Sequence, residues 1–412
     1  MLQLLEQRPD LRGWVKQLHL AMPPSTYYFE DLAPGQIQSL WEQVESKYGV
    51  KILGREEVRD DSSRFTDERG YGILLALLLS VLRGVEGLSV FSTAGTFAHA
   101  GNYLTQNSTL LTQSNQLKGN DYTQEISPTT ILPNLTSLAV TNQLYNDVEL
   151  QPNITTWSSM AVLDVCPNLS KVWADGFYDS PPLGNLPNNV CQNITALNLM
   201  NTFISEDAFP ALMERIQCLE TFKFLVMEPD CGSLLDDEEY GVLSPRAAVR
   251  GLQCHAKSLR TFYYQNDVGY FGKDELFDTF EAFASLKNLW IDTKSFTTTG
   301  GAYGMDFDAE YSDSEDGTDT EQDDGPQNLP GLPCSLRRLY ISEDIEPIVD
   351  SLRLLASECE LRFPKLEKVV FGEPYLLDGP GFDEMGLNEI YRTFRNAGVE
   401  ACPHDKYQSD LW

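Results

Sequence analysis

Residues 132–140 read Leu132-Pro133-Asn134-Leu135-Thr136-Ser137-Leu138-Ala139-Val140. Apolar side chains stand at Leu135, Leu138 and Val140, a spacing of 0, 3 and 5. The last two alternate, as strand residues must when one face is buried, and the first sits where the chain turns into the strand. The spacing returns at Val15-Leu18-Leu20, Val85-Leu88-Val90, Leu169-Val172-Ala174, Ile194-Leu197-Leu199 and Leu219-Phe222-Phe224. It continues at Leu259-Phe262-Tyr264, Leu286-Leu289-Ile291, Leu336-Leu339-Ile341 and Leu366-Val369-Phe371, ten copies in all. One match carries little, because leucine is common. Ten, most of them introduced by Pro-Asn-Leu, Ser-Leu or Pro-Lys-Leu, define a repeat.

Helical apolar spacing precedes several copies, over Tyr71–Leu82, Ala208–Ile216 and Leu276–Phe283. Helix then short strand, repeated, predicts an α/β leucine-rich-repeat solenoid with a parallel inner sheet and outer helices. No unit of this kind buries its apolar side alone, so neighbours stack into one core. The repeats are irregular: 25 residues separate Leu197 from Phe222, 27 separate Phe262 from Leu289, and 50 separate Leu289 from Leu339. A degenerate unit is expected around Val50–Leu53, in the 70-residue gap between Leu18 and Leu88, and Glu384–Asn396 reads as a C-terminal capping helix. At about 150 residues per domain the length suggests two or three domains. The repeat overrules that estimate, and residues 1–412 are expected to form a single leucine-rich-repeat domain with a polar insertion at 93–125 and an acidic one at 305–326. A doubly wound sheet would require longer apolar strands and a Gly-rich turn after one of them, and neither is visible.

Thirty Lys and Arg against 61 Asp and Glu give a net charge of −31, which repels phosphate backbones and anionic lipid alike. Nucleic acid and membrane are therefore not expected partners. The longest apolar run, Ile73 to Leu82, is half the length of a membrane span and is broken by Ser80. The N-terminus carries charges where a secretory signal would have its apolar core. Eight dispersed cysteines without a CxxC pair read mostly as reduced core thiols, which suits the cytoplasm or nucleus. Five Asn-x-Ser/Thr sequons occur; those at Asn134, Asn168 and Asn193 fall in the repeat's entry motif, which explains them better than glycosylation does.

The segment Leu4-Leu5-Glu6-Gln7-Arg8-Pro9-Asp10-Leu11-Arg12-Gly13-Trp14-Val15-Lys16-Gln17-Leu18-His19-Leu20 resembles the opening of the repeat region in filamentous-fungal F-box/leucine-rich-repeat proteins. Leu132-Pro133-Asn134-Leu135, Cys166-Pro167-Asn168-Leu169, Phe363-Pro364-Lys365-Leu366 and Ala397-Gly398-Val399-Glu400 are similar to strand entries of that family. The resemblance implies the substrate-binding part of a ubiquitin-ligase receptor. The F-box itself has no counterpart in this sequence, so docking to a ligase adaptor is expected only where an F-box is restored.

Motifs for phosphate loops, dinucleotide binding, zinc proteases and serine hydrolases are absent. Cys254-His255 is the one adjacent Cys/His pair, a remote basis for a hydrolase, and neighbours on a helix point apart. Cys402-Pro403-His404 is too sparse for zinc. No catalytic residue, cofactor or metal is expected. The function read from the sequence is non-catalytic protein recognition by a monomer, with a stand-alone scaffold lacking any ligase link as the alternative.

In a solenoid the residues between the two buried strand positions line the inner face. They are His19, Ser89, Ala139, Trp173, Asn198, Lys223, Tyr263, Trp290, Tyr340 and Val370. Tyr263, Trp290 and Tyr340 come from successive copies and are expected to form an outward aromatic patch of the kind enriched at interaction hot spots. Lys171, Arg338 and Lys368, just before the second apolar position, supply a basic rim. Trp173, Lys223, Tyr263, Trp290, Arg338 and Tyr340 are thus the candidate partner-binding residues, for a protein substrate or peptide. Between the eighth and ninth copies, Met305–Asp324 holds ten acids and no Lys or Arg, which predicts a disordered loop. Ser312, with Glu315 three residues on, suits an acidophilic kinase.

Overall fold

The structure, a computed structural model, describes residues 13–21, 84–92, 132–142, 166–176, 191–202, 204–227, 243–267, 271–297, 328–342, 345–372 and 384–403, with residues 8, 10, 75, 78, 79 and 82 as single positions. The proposed degenerate unit at Val50–Leu53, the insertions 93–125 and 305–326, and Ser312 lie outside the described residues. The chain falls into two compact units, Met1–Ile204 with Arg215–Gln217, and Ser205–Glu214 with Cys218–Trp412.

The first unit holds β1 (Gln17–Ala21), β2 (Gly87–Ser92), β3 (Ser137–Asn142), β4 (Lys171–Asp175) and β5 (Ala196–Met200). The second holds β6 (Thr221–Val226), β7 (Thr261–Asn266), β8 (Asn288–Asp292), β9 (Arg338–Ser342), β10 (Lys368–Phe371) and β11 (Glu400–Pro403). Its helices are α1 (Ala208–Met213), α2 (Pro245–Leu252), α3 (Val349–Arg362) and α4 (Glu384–Asn396). Within each unit every strand pairs in parallel with the next one along the chain. Parallel strands in chain order need a crossover between each pair, so the fold is α/β and consistent with a solenoid-like arrangement.

All ten copies of the sequence pattern end in a strand, and the register aligns them. Leu18, Leu88, Leu138, Val172 and Leu197 are Cα partners across the first unit. Phe222, Phe262, Leu289, Leu339, Val369 and Ala401 are partners across the second. Every one of these side chains is buried. Burying a residue of this size stabilises by about 1.5–3 kcal/mol, which is why the two inward positions are the part of the repeat that stays apolar.

The entry motif has a hydrogen-bonding role. The amide of the first apolar residue bonds the carbonyl three residues back, as in Leu135 to Leu132 (3.3 Å), Leu169 to Cys166 (3.1 Å) and Leu366 to Phe363 (2.9 Å). That turn points the next two amides at one carbonyl of the preceding copy: Ser170 and Lys171 both bond Thr136 O, and Lys287 and Asn288 both bond Arg260 O. The Asn168 side chain donates to Pro133 O and Asn193 to Pro167 O, each at 2.6 Å. Ser258 donates to Leu219 O and Ser335 to Leu286 O, each at 2.8 Å. Pro-Asn-Leu and Ser-Leu are therefore staples between copies, and the sequons at Asn168 and Asn193 follow from that use.

Aromatic rings fill the second unit. Phe262 meets Phe222, Phe277 and Phe280 at centroid distances of 6.0, 5.8 and 5.3 Å. Tyr264 stacks on Phe224 at 5.2 Å and donates its hydroxyl to Leu243 O at 2.7 Å. Helix α2 begins with Ser244 as N-cap and Pro245 in its first turn, a pairing that satisfies one amide and needs none from proline. Its Gly251 lies against the Phe209 ring of α1, where an added Cβ would approach to 2.5 Å. Helix α4 ends with Gly398 at φ +77°, Gly398 N bonding Arg395 O and Val399 N bonding Phe394 O. This Schellman turn aims the chain into β11.

Three expectations are corrected. The segment 276–283 is not helical: after a 3-10 turn at Lys273–Glu275 it is irregular, with Phe277 N bonding Ser295 O and Phe280 N bonding Gly331 O. Its apolar spacing arises because Phe277 and Phe280 both enter the aromatic core, a demand that mimics a helical face. Helix α1 stops at Met213 rather than Ile216. Of the seven described thiols, all free, Cys218, Cys254 and Cys334 are exposed, so core burial accounts for only part of the cysteine content. The structure adds α3, which the repeat pattern did not announce, and β11 follows the strand entry expected at Ala397-Gly398-Val399-Glu400. It places α4 at Glu384–Asn396, as expected, packed against α3 and β11. Leu75, Leu78 and Leu79 are helical and buried within the expected helix 71–82.

Candidate functional site

Because successive strand residues face opposite ways, the positions between the two buried ones share the other face of each sheet. In the first unit they form the row His19, Ser89, Ala139, Trp173 and Asn198. His19 is exposed and the other four are half-buried. In the second unit the row is Lys223, Tyr263, Trp290, Tyr340 and Val370.

The three aromatics of the second row do meet. Tyr263 and Trp290 have ring centroids 4.9 Å apart, and Trp290 stacks on Tyr340 at 4.9 Å with planes 12° apart. They do not stand free, however: Tyr263 is 7%, Trp290 8% and Tyr340 8% exposed, which corrects the expectation of an outward patch. Strands lie about 4.8 Å apart, so large flat rings at matched register positions cover each other's faces. Val370 next in the row is also buried, while Lys223 at the other end is half-buried and burial pulls its ammonium below the usual range. The Tyr263 hydroxyl donates to Gln265 Oε1 at 2.7 Å, and Gln265 Nε2 donates to Asp267 Oδ1 at 3.0 Å. Burial first, then the charges of Asp267 and Asp292, raises the Tyr263 phenol pKa, so it is a neutral donor.

The accessible chemistry lies at the strand entries. Preceding the aromatic row are Thr261, Asn288, Arg338 and Lys368 on neighbouring strands, with Asn288 Nδ2 donating to Thr261 Oγ1 at 3.0 Å. Arg338 is exposed and is the Cα partner of Lys368, whose ammonium pairs with Glu400 at 2.8 Å. One residue earlier stand Arg260, Lys287 and Arg337, all exposed, their backbones joined by Lys287 N to Arg260 O and Arg337 N to Lys287 O at 2.8 Å each. Arg260 pairs with Glu220 at 3.6 Å and Arg337 with Glu367 at 3.0 Å. Of the expected rim, Arg338 and Lys368 are thus brought together, while Lys171 and Trp173 belong to the first unit. The row Arg260, Lys287 and Arg337 was overlooked in the sequence, although it is readable there as the residue after Leu259, Leu286 and Leu336.

The remaining candidates resolve into packing. His255 is buried, with Nε2 donating to Met213 O at 3.1 Å and Nδ1 facing the Leu219 amide at 3.5 Å. Burial lowers its pKa, although the bond to Met213 opposes that shift, and the imidazole is neutral. Cys254 is exposed as a residue, but its thiol turns inward to Gly251 O at 3.4 Å, and this partial desolvation is the largest cause of its raised pKa. Both imidazole nitrogens face backbone groups, so this geometry pairs no thiolate with a base. Asp292 is buried with its carboxylate accepting from Asn266 N and Ser295 N, each at 2.7 Å, which ties the ends of β7 and β8. Among the described residues no three His, Cys, Asp or Glu side chains converge as metal ligands, and no helix is long and apolar enough to cross a membrane.

Compared with known protein families and with curated proteins, the chain matches no family model and no curated sequence.

Proposed function

We propose that this chain is a leucine-rich-repeat protein that recognises another protein without catalysing a reaction, and that it serves as the substrate-binding part of a ubiquitin-ligase receptor. The observation that carries the reading is the register. Ten copies hold their inward positions apolar while their outward positions vary freely, through Ser, Ala, Trp, Asn, Lys, Tyr and Val. A repeat that fixes its core and varies one face suits an extended recognition surface. The stacked row Tyr263, Trp290 and Tyr340 makes that face rigid, and a rigid surface loses little entropy when a partner docks. Contacts then fall, on the second unit, to the half-buried Lys223 and the exposed Arg338, and on the first unit, separately, to the half-buried Trp173. The ligase role rests on the resemblance of the entry motifs to the F-box/leucine-rich-repeat proteins. The proposed setting is the cytoplasm or nucleus, where free thiols persist.

Affinity capture from extract of the source cells tests this, using the parent beside a Lys223→Ala/Arg338→Ala variant. The expected result is a set of proteins held by the parent and lost from a variant with an unchanged circular dichroism spectrum. Adaptor or cullin subunits in that set would support the ligase role; their absence would leave a scaffold. Identical sets from both proteins would remove the second unit's outward face as the recognition surface.

A further inference from the structure

We infer that the strand-entry edge of β7, β8 and β9 is a docking surface for an acidic polypeptide segment. The inference rests on the proposed recognition role and names the chemistry of the partner. Across these three neighbouring strands the two entry positions carry Arg260 and Thr261, Lys287 and Asn288, and Arg337 and Arg338: four cations and no acid. The acids that answer them stand on the flanking strands and are engaged, Glu220 with Arg260 and Glu367 with Arg337. On the next strand Lys368 is held by Glu400. Lys287 and Arg338 are left in the middle, both exposed, and among the described residues no acid pairs with either.

This arrangement is unexpected on a chain of net charge −31, where a random exposed cation has acids around it. The edge is also stiff. Each entry carbonyl accepts two amides from the next copy, so the Cα positions of Lys287 and Arg338 are fixed by backbone bonds of 2.8–2.9 Å. Two cations with no acid partner among the described residues, held at fixed spacing with amide and hydroxyl groups from Asn288 and Thr261 beside them, suit carboxylates repeated along an extended chain. Bases of a single-stranded nucleic acid would need an exposed aromatic face to stack on, and Tyr263, Trp290 and Tyr340 beside this edge are buried against one another. Polypeptide is therefore the favoured partner.

The test is fluorescence anisotropy with a fluorescein-labelled decaglutamate peptide, a decaglutamine peptide and a ten-base oligothymidylate. Three proteins are compared: the parent, Lys287→Gln/Arg338→Gln, and Arg353→Gln/Arg392→Gln. The last removes the same charge from exposed pairs on α3 and α4. The expected result is decaglutamate binding by the parent that weakens with salt, about two- to thirtyfold weaker binding by Lys287→Gln/Arg338→Gln, the range for losing two exposed ion pairs, and parent-like binding by the control. Equal affinity for all three proteins overturns the inference, as does decaglutamine binding as well as decaglutamate or the oligonucleotide binding as tightly. Should decaglutamate fail while Lys223→Ala/Arg338→Ala still loses its captured proteins, the recognition face stands and only its acidic partner falls.

Discussion

Replacing Trp290 by alanine decides whether the aromatic row is packing or exposed surface. Trp290 is 8% exposed and has Tyr263 on one side and Tyr340 on the other, both with centroids 4.9 Å away. Truncating a buried Trp to Ala costs about 3–5 kcal/mol. The two ring contacts, each about 0.5–1.5 kcal/mol beyond burial, place the expected loss in the upper part of that range. Because the chain has two compact units, a single global unfolding energy is not the right observable. Hydrogen exchange of peptides from β7, β8 and β9 reads the local value instead. A loss of about 3 kcal/mol or more raises their exchange through opening by over a hundredfold. Trp14→Ala, at an 82% exposed position, is the control and should lie within about 0.5 kcal/mol of the parent. If Trp290→Ala leaves the exchange of β7–β9 within about tenfold of the parent, the row is not core and its stacked geometry has been misjudged. The same reasoning warns against alanine at all three aromatics in a binding experiment, since lost capture would then report unfolding.

Two further outcomes are expected. Gly251→Ala gains about 1 kcal/mol of helix propensity, but its Cβ meets the fully buried Phe209 ring at 2.5 Å, and overpacking of this kind costs about 1–3 kcal/mol; slower hydrogen exchange of the α1 and α2 peptides than in the parent would contradict the contact. His255 has a lowered folded-state pKa, so below about pH 6.5 the unfolded chain takes up a proton that the folded chain refuses. Its contribution therefore falls as the pH drops from there towards the folded value, by at most about 1.4 kcal/mol per pH unit. His255→Gln should flatten the pH dependence, between about pH 7.5 and 5.5, of the second unit's urea midpoint, read from labelling of its β6 and β7 peptides, and identical slopes would mean that the imidazole is not held neutral.

What the sequence determined by itself is the set of strands and their alignment. The pattern 0, 3, 5 is local, and a strand with one buried face has to alternate wherever it stands, so all ten copies landed in β1 to β10. The helix 384–396 was legible for a similar reason, since its apolar spacing and the glycine after it are both local signals. Features without such a signal waited for tertiary structure. Helix α3 buries Leu352, Leu355, Ala356 and Cys359 but leaves Leu354 and Leu361 exposed, which blurs its apolar face. Strand β11 was legible only as an entry at Ala397-Gly398-Val399-Glu400; with Ala401 alone inward, its pairing is set by the turn at Gly398 and the bond from Glu400 N to Glu367 O. The site divides in the same way. Alternation told which side Tyr263, Trp290 and Tyr340 take, but not that three rings on adjacent strands would bury one another. Nor does any local pattern say which cation keeps an acid: Arg260 and Arg337 find Glu220 and Glu367 one strand away, at sequence separations of 40 and 30, and Lys287 between them finds none among the described residues. Periodicity fixes orientation because it is a property of a few consecutive residues. Burial and charge pairing depend on neighbours that only the stacked copies bring together.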